Sequence, residues 1–238
     1  MPGSRRAKGL RQPGTDGYAR GEETRARIIA AAIECFAADG FEVASTRDIA
    51  RLAEVNAPAV RYYFDSKEGL YRACAELIAE RIWGRFEPAV KRAQTTLDDP
   101  SAGVPQWIDA FDDLQMTIVE HLLGTDHRAS DREFVAREQA GHGCSAAFML
   151  MRERVSSHLN RVGSELIARL TELPADDPRT LLRMVTLHGQ FLVFHGPRRW
   201  VMATLQWERI DAQRLEALKA QVREQTRLLL QAWSRTRG

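Results

Sequence analysis

The sequence has no long apolar segment and few cysteines, and these two absences exclude several classes of protein. The longest uninterrupted apolar run is six residues, for example Ala146 to Met151, whereas a membrane-spanning helix needs about 20. The basic N-terminus lacks the apolar stretch of a secretory signal. Cys35, Cys74 and Cys144 are an odd number of widely spaced cysteines, which is typical of a reducing compartment. We therefore expect a cytoplasmic protein with no membrane partner.

Excess charge of one sign is also missing. The formal net charge is +2 over 238 residues. Residues 1–20 carry five basic side chains and one acidic one, whereas residues 21–86 carry nine basic and eleven acidic side chains. The chain has 30 Arg against 4 Lys, which suits phosphate recognition, although codon usage explains the excess more simply. Net charge alone therefore does not indicate a nucleic-acid partner.

The common motifs of enzymes and of metal sites are absent as well. There is no G-x-S-x-G, no phosphate-binding loop and no recognisable pair of carboxylates, so we predict that the protein is not an enzyme and has no cofactor. His142 and Cys144 lie close together, with His121 and His127 upstream. Their spacing matches no standard zinc pattern. We predict no metal site, and a metal-responsive regulator remains an alternative.

Apolar periodicity predicts an all-α fold. Residues 1–20 are rich in Gly and Pro with little that is apolar, which predicts a flexible basic tail. Its role is either solubility or contact with phosphates. Alternating strand patterns are missing, and from Glu22 onward apolar residues recur at helical spacing. The predicted helices begin near Glu22, Ser45 or Thr46, Ala57 and Ser66, and then span about 104–123, 130–139, 145–172, 177–195 and 211–234.

The segment from Thr46 to Lys67 predicts a helix-turn-helix. Two short helices are separated by a tight turn, and the second has Asn56 as its N-cap and Pro58 in its first turn. Such a helix fits the major groove, which is about 12 Å wide. Its small residues permit close approach to base edges, while hydroxyl, Arg and Lys side chains at its margins suit phosphates. The predicted DNA-binding residues are Thr46, Arg47, Asn56, Ala57, Pro58, Ala59, Arg61, Tyr62, Tyr63 and Lys67.

The stretch from about residue 22 to 72 resembles the DNA-binding domain of TetR-type transcriptional regulators. The resemblance covers TRARIIAAAIECFAADGFEVASTRDIARLAEVNAPAVRYYFDSKEGLY almost end to end. It implies that Thr46 and Lys67 bind phosphates and that Arg47 reaches a base. The sequence departs from the family where Arg61 replaces a usual Tyr and Tyr63 a usual His, which puts the base preference in doubt. A helical interaction protein without DNA binding is the alternative.

The rest of the chain resembles the C-terminal domain of the CecR-type subgroup, in REFVAREQAG (132–141) and HGQFLVFHGPRRWVMATLQWERIDAQRLEALKAQV (188–222). The resemblance implies a helix-turn-helix domain over 21–85, and a helical domain over 86–238 that dimerises and binds a small-molecule effector. A regulator that needs no ligand is the alternative. The helix over 177–195 is apolar on two faces and the helix over 211–234 has a broad apolar stripe, which predicts a homodimer through both. The candidate effector-binding residues are Trp107, Phe111, His121, Phe148, Met151 and His188.

Overall fold

A computed structural model describes residues 15–124, 128–139, 141, 143, 145–194 and 198–236. Within them the chain is helical and contains no strand, as the periodicity predicted. The helices are α1 (Thr15–Val43), α2 (Thr46–Leu52), α3 (Ala57–Phe64), α4 (Lys67–Asp98), α5 (Val104–Leu123), α6 (Ala129–Gln139), α7 (Ser145–Met151), α8 (Ser157–Thr171), α9 (Pro178–Leu192), α10 (Arg198–Thr204) and α11 (Ala212–Arg235), and a π-helical turn (Arg152–Ser156) joins α7 to α8.

The first helices begin and end where the sequence places its caps. Gly40 has φ of 80°, which breaks the helical path of α1 in the left-handed region that glycine adopts at little cost. The Ser45 hydroxyl accepts the Asp48 N–H at 3.1 Å, and the Asn56 side chain accepts the Ala59 N–H at 2.9 Å. The Ser66 hydroxyl accepts the Gly69 N–H at 3.0 Å. The predicted starts of α2, α3 and α4 are therefore confirmed.

Two predicted boundaries are wrong. The helix α1 begins at Thr15, so residues 15–20 are helical and do not belong to a flexible tail. Residues 1–14 lie outside the described part of the chain. The second correction is α9, which ends at Leu192 and not at residue 195, because the chain turns at Val193 and Phe194 before α10, a helix that the periodicity did not predict.

One long core joins the N-terminal and C-terminal halves. The buried side chains of α1, α2 and α3 form one continuous cluster with those of α4, α5 and α8. A smaller cluster lies between α5, α9 and α11. The predicted boundary between residues 85 and 86 falls inside α4, a helix of 32 residues. The helix α4 therefore belongs to both the helix-turn-helix domain and the C-terminal bundle and connects them without a break.

Candidate nucleic-acid interface

The outer face of α3 is free to meet a partner. Val60 and Phe64 are buried, and their spacing of four residues defines the inner face of the helix. The exposed surface of α3 carries Ala57, Pro58 and Arg61, and Tyr62 is 81% exposed. Small residues at the N-terminal end of this face allow the backbone to approach base edges closely. The helix therefore has the size and surface that insertion into a major groove requires.

A groove of about 510 Å³ runs beside α3 and brings several predicted residues together. Thr46 from α2, Arg61 from α3 and Lys67 from α4 all line it. Glu42 and Asp65 also line the groove, and their charges oppose a phosphate there. Attraction for phosphates at this surface therefore depends on the cationic side chains, together with the exposed Arg47 on the first turn of α2.

Two of the predicted DNA-binding residues also have structural roles. The Lys67 ammonium donates to the Glu42 carbonyl at 3.1 Å and lies 4.8 Å from the centre of the Phe41 ring. It thus holds the end of α1 against the start of α4, and its remaining N–H groups can serve a phosphate. Asn56 uses its side-chain oxygen to cap α3, which leaves its NH₂ group for DNA.

The two tyrosines of α3 differ in their surroundings. The Tyr62 and Tyr63 rings meet edge to face with their centres 5.2 Å apart. Tyr63 is partly buried against the main core, whereas Tyr62 projects from it. Of the two, Tyr62 is better placed to reach a phosphate. The Tyr63 ring is better placed to hold the Tyr62 ring in position.

The helix α6 ties the C-terminal bundle to the helix-turn-helix domain, and sequence reasoning missed this role. The Arg137 guanidinium donates to the Ala37 carbonyl at 2.8 Å and to the Ala38 carbonyl at 2.9 Å, at the point where α1 is about to break. The buried Tyr71 hydroxyl donates to the Glu138 carboxylate. Both residues of α6 belong to the REFVAREQAG segment, whose sequence gave no indication of which helix it contacts.

Two further contacts strengthen the attachment of α6. The Ser130 hydroxyl donates to the Glu34 carboxylate of α1 at 2.7 Å. Arg81 of α4 donates to both oxygens of Asp131, at 3.1 and 3.0 Å. The pair is partly buried, so it is screened less than an exposed ion pair. A movement of α6 would therefore change its contacts with both α1 and α4.

The helices α9 and α11 leave apolar side chains on the surface. Thr180, Met184, Leu187 and Phe191 form the buried side of α9, whereas Leu182 is 64% and Val185 58% exposed. Other exposed apolar residues of the two helices are Leu181, Leu192, Leu228 and Leu229. The Arg183 guanidinium lies 4.8 Å from the centre of the Trp233 ring and links α9 to α11. The two apolar faces expected for the helix over 177–195 are therefore present.

The six candidate effector-binding residues lie in different surroundings. Trp107 lines a groove of about 570 Å³ with Leu97 and Pro174. Phe111 is buried in the core, with its ring 6.4 Å from that of His188, and burial lowers the pKa of His188 to about 4. The remaining candidates are His121, whose ring lies 4.9 Å from that of Phe86, Met151, which packs against the core, and Phe148, whose side chain lies outside the described part.

Most of the His and Cys residues considered for metal binding lie outside the described part of the chain. His127, His142 and Cys144 lie outside the described residues. Within the described ranges no cluster of three or more His, Cys, Asp or Glu side chains has the arrangement of a metal site. Over the same part of the chain, no helix combines the length and apolarity needed to span a membrane.

Two family models match separate parts of this chain. Residues 28–74 match "Bacterial regulatory proteins, tetR family". Residues 108–233 match "HTH-type transcriptional dual regulator CecR, C-terminal domain". The dual regulator CecR of Shigella flexneri is 32% identical over 90% of this chain and 95% of its own.

Solved structures share the fold at low sequence identity. A crystal structure of AibR with isovaleryl coenzyme A and operator DNA has a TM-score of 0.59 and 13% identity, covering 85% of this chain and 97% of AibR. A transcriptional regulator from Rhodococcus sp. RHA1 has a TM-score of 0.55 and 16% identity, covering 87% and 96% of the two chains.

The two family models and the CecR relative together show which family this is. The chain belongs to the tetR family of bacterial regulatory proteins and is a helix-turn-helix transcriptional regulator with a C-terminal domain of the CecR type.

Proposed function

We propose that the protein is a cytoplasmic homodimer that represses transcription from a near-palindromic operator and is released by a small molecule bound in its C-terminal bundle. The observation that carries the proposal is the exposed outer face of α3, with Ala57, Pro58 and Arg61 on one surface beside a groove that Thr46 and Lys67 share. On this surface, small residues allow close approach to bases, and side chains that can donate hydrogen bonds to DNA phosphates lie beside them. Base and phosphate contacts of this kind position and specify a regulator on DNA.

The dimer forms through α9 and α11. Their exposed leucines and valine provide the apolar surface that a stable interface between copies needs. A two-fold axis through these helices presents the same α3 twice, and such paired helices read half-sites about 34–36 Å apart. The operator should therefore be an inverted repeat.

Release follows if the effector binds better to a conformation in which the two copies of α3 no longer match the half-sites. A 100-fold loss of DNA affinity needs a coupling free energy of about 2.7 kcal/mol. The contacts of α6 with α1 and α4 supply a physical route for this coupling. Arg137 and Glu138 attach α6 to the helix-turn-helix domain, so a shift of α6 changes the orientation of α3.

Selection from genomic DNA tests the central claim. Purified protein is mixed with fragmented genomic DNA at moderate salt, and the bound fragments are recovered and sequenced. Enrichment of a few sites that share an inverted repeat supports a dimeric, sequence-specific regulator. Uniform recovery of fragments contradicts sequence-specific binding.

Variants of two cationic residues then test the placement of the protein on the enriched site. Lys67→Ala should weaken binding to all sequences and reduce the salt dependence by about one unit per protomer. Lys67→Gln keeps a donor for the Glu42 carbonyl but loses the charge, so it separates phosphate binding from the structural role. Arg47→Ala should relax the preference at one base pair of each half-site. The exposed Lys91, far along α4, is the matched control as Lys91→Ala.

A further inference from the structure

A cavity of about 420 Å³ lies between α4 and the helix that runs through the π-helical turn. Its volume falls in the range of small-molecule sites, and none of the five candidate effector-binding residues with a described side chain is among the residues that line it. Three features distinguish it: an indole with apolar neighbours, two carboxylates on one wall and two nitrogen-containing side chains on the other. Among the residues that line it are Glu76, Glu80, Trp83, Leu150, Arg154 and His158.

The walls of the cavity carry opposite charges that do not neutralise each other. Glu76 and Glu80 lie one turn apart on α4, and Glu76 pairs with Arg72 outside the cavity at 3.2 Å. Arg154 and His158 lie at the same spacing on the opposite wall. Among the described residues, neither Glu80 nor Arg154 has an ion pair or a side-chain hydrogen bond. The Glu80 carboxylate and the Arg154 guanidinium are exposed to solvent and line the same open pocket, so a ligand can reach both charges.

The apolar part of the cavity favours a flat ring. The half-buried Trp83 indole contacts the His158 ring, with the centres 4.8 Å apart, and Leu150 and Ala79 add apolar surface. Aromatic rings gain from offset or edge contacts with an indole. The cavity therefore offers Trp83 to an aromatic ring, and Glu80 and Arg154 to charged groups on the same ligand.

A π-helical turn lies on one side of this cavity, and the helix α4 on the other side contains a proline beyond it. Across from α4, the Ser157 N–H bonds to the Arg152 carbonyl, five residues back, and π turns of this kind are frequent at functional sites. On α4 itself, Pro88 lies inside the helix and removes the hydrogen bond that the Gly84 carbonyl would accept. The helix α4 therefore lacks one backbone hydrogen bond directly after Trp83, between the cavity and the C-terminal end of α4.

We propose that this cavity is the effector site and that the effector is an aromatic zwitterion, with its amine toward Glu80, its acid group toward Arg154 and its ring against Trp83. The assignment rests on the proposed function for its regulatory meaning. Because α4 begins at Lys67, next to α3, a ligand that shifts α4 at the cavity changes the orientation of α3.

Three indoles that share one ring system and differ in charge test the chemistry by calorimetry without DNA. L-tryptophan carries both charges, tryptamine only the amine and indole-3-acetate only the acid. As small probes of a site with room for a larger ligand, tryptamine and indole-3-acetate should bind with dissociation constants on the order of 1 mM. L-tryptophan should bind about tenfold more tightly than either of the other two, since each charged contact adds about that factor.

Two variants separate the charged contacts. Glu80→Gln should weaken L-tryptophan and tryptamine about tenfold and leave indole-3-acetate unchanged, while Arg154→Gln should weaken L-tryptophan and indole-3-acetate and leave tryptamine unchanged. Glu153→Gln and Arg152→Gln are the matched controls, because both side chains are exposed on the same π turn and do not line the cavity. Unchanged melting temperatures verify that the variants fold.

The outcomes decide the two proposals separately. Absence of L-tryptophan binding up to about 10 mM, or equal effects of the control substitutions, overturns the site. Calorimetry that follows the predicted pattern, with operator affinity unchanged by saturating L-tryptophan, overturns its role as the effector site. Failure of the protein to bind any DNA contradicts the proposed function and leaves the calorimetric result intact.

Discussion

Replacing Arg137 with alanine should detach α6 from the end of α1. The guanidinium makes two hydrogen bonds, to the Ala37 and Ala38 carbonyls, and each hydrogen bond to a charged group contributes about 1.5–3 kcal/mol. The Arg137 side chain is 31% exposed, so water replaces part of the interaction in the variant. Its contact with the more exposed Glu133, at 3.5 Å, adds little. We therefore expect a net loss of about 2 kcal/mol.

Thermal unfolding measures this loss. For a chain of this size 1 kcal/mol shifts the midpoint by about 2–4 °C, so Arg137→Ala should lower it by about 4–8 °C. Arg132→Ala is the control on the same helix, because the Arg132 side chain is exposed and its contact with the Gly124 carbonyl is long, at 3.4 Å. That control should change stability by less than about 0.5 kcal/mol.

The same variant should also bind operator DNA more weakly. If the attached orientation of α1 is the one that binds DNA, a loss of 2 kcal/mol of attachment limits the decrease in affinity to about 30-fold. Fluorescence anisotropy with the enriched operator measures this decrease. Equal melting temperatures and equal operator affinities for Arg137→Ala and Arg132→Ala would refute the view that α6 holds the helix-turn-helix domain in place.

Other substitutions test the dimer and the titration of His188. Leu182→Asp places a charge in the exposed apolar face of α9 and should convert the dimer to monomers in sedimentation experiments, whereas Glu224→Gln, at an exposed position of α11, should not. Burial lowers the pKa of His188 from 6.5 to about 4. The neutral side chain therefore contributes fully to stability above pH 6.5, and this contribution is lost as the pH falls toward 4. The free energy of unfolding should decrease by at most about 3 kcal/mol over that range. His188→Gln should remove that part of the pH dependence in denaturant titrations, and an unchanged slope between pH 6.5 and 4 would contradict the assignment.

Local signals in the sequence were sufficient for the helix-turn-helix. Ser45, Asn56 and Ser66 cap the helices that they precede, because a capping hydrogen bond depends only on residues two or three positions away. The inner face of α3 follows from the spacing of Val60 and Phe64. The fold class and the candidate DNA-binding surface were therefore accessible from the sequence.

The sequence determined where most helices lie, since helical periodicity and caps are properties of short segments. Only the tertiary structure decided which segments meet. Arg137 contacts a carbonyl 100 residues away, and the cavity between α4 and the π turn joins Glu80 to Arg154, two positions that no local pattern connects. Contacts of this kind depend on how whole helices pack, and many packings satisfy the same periodicity. For that reason the candidate DNA-binding surface could be proposed from the sequence, whereas the contacts of α6 and the charged cavity became visible only in the folded chain.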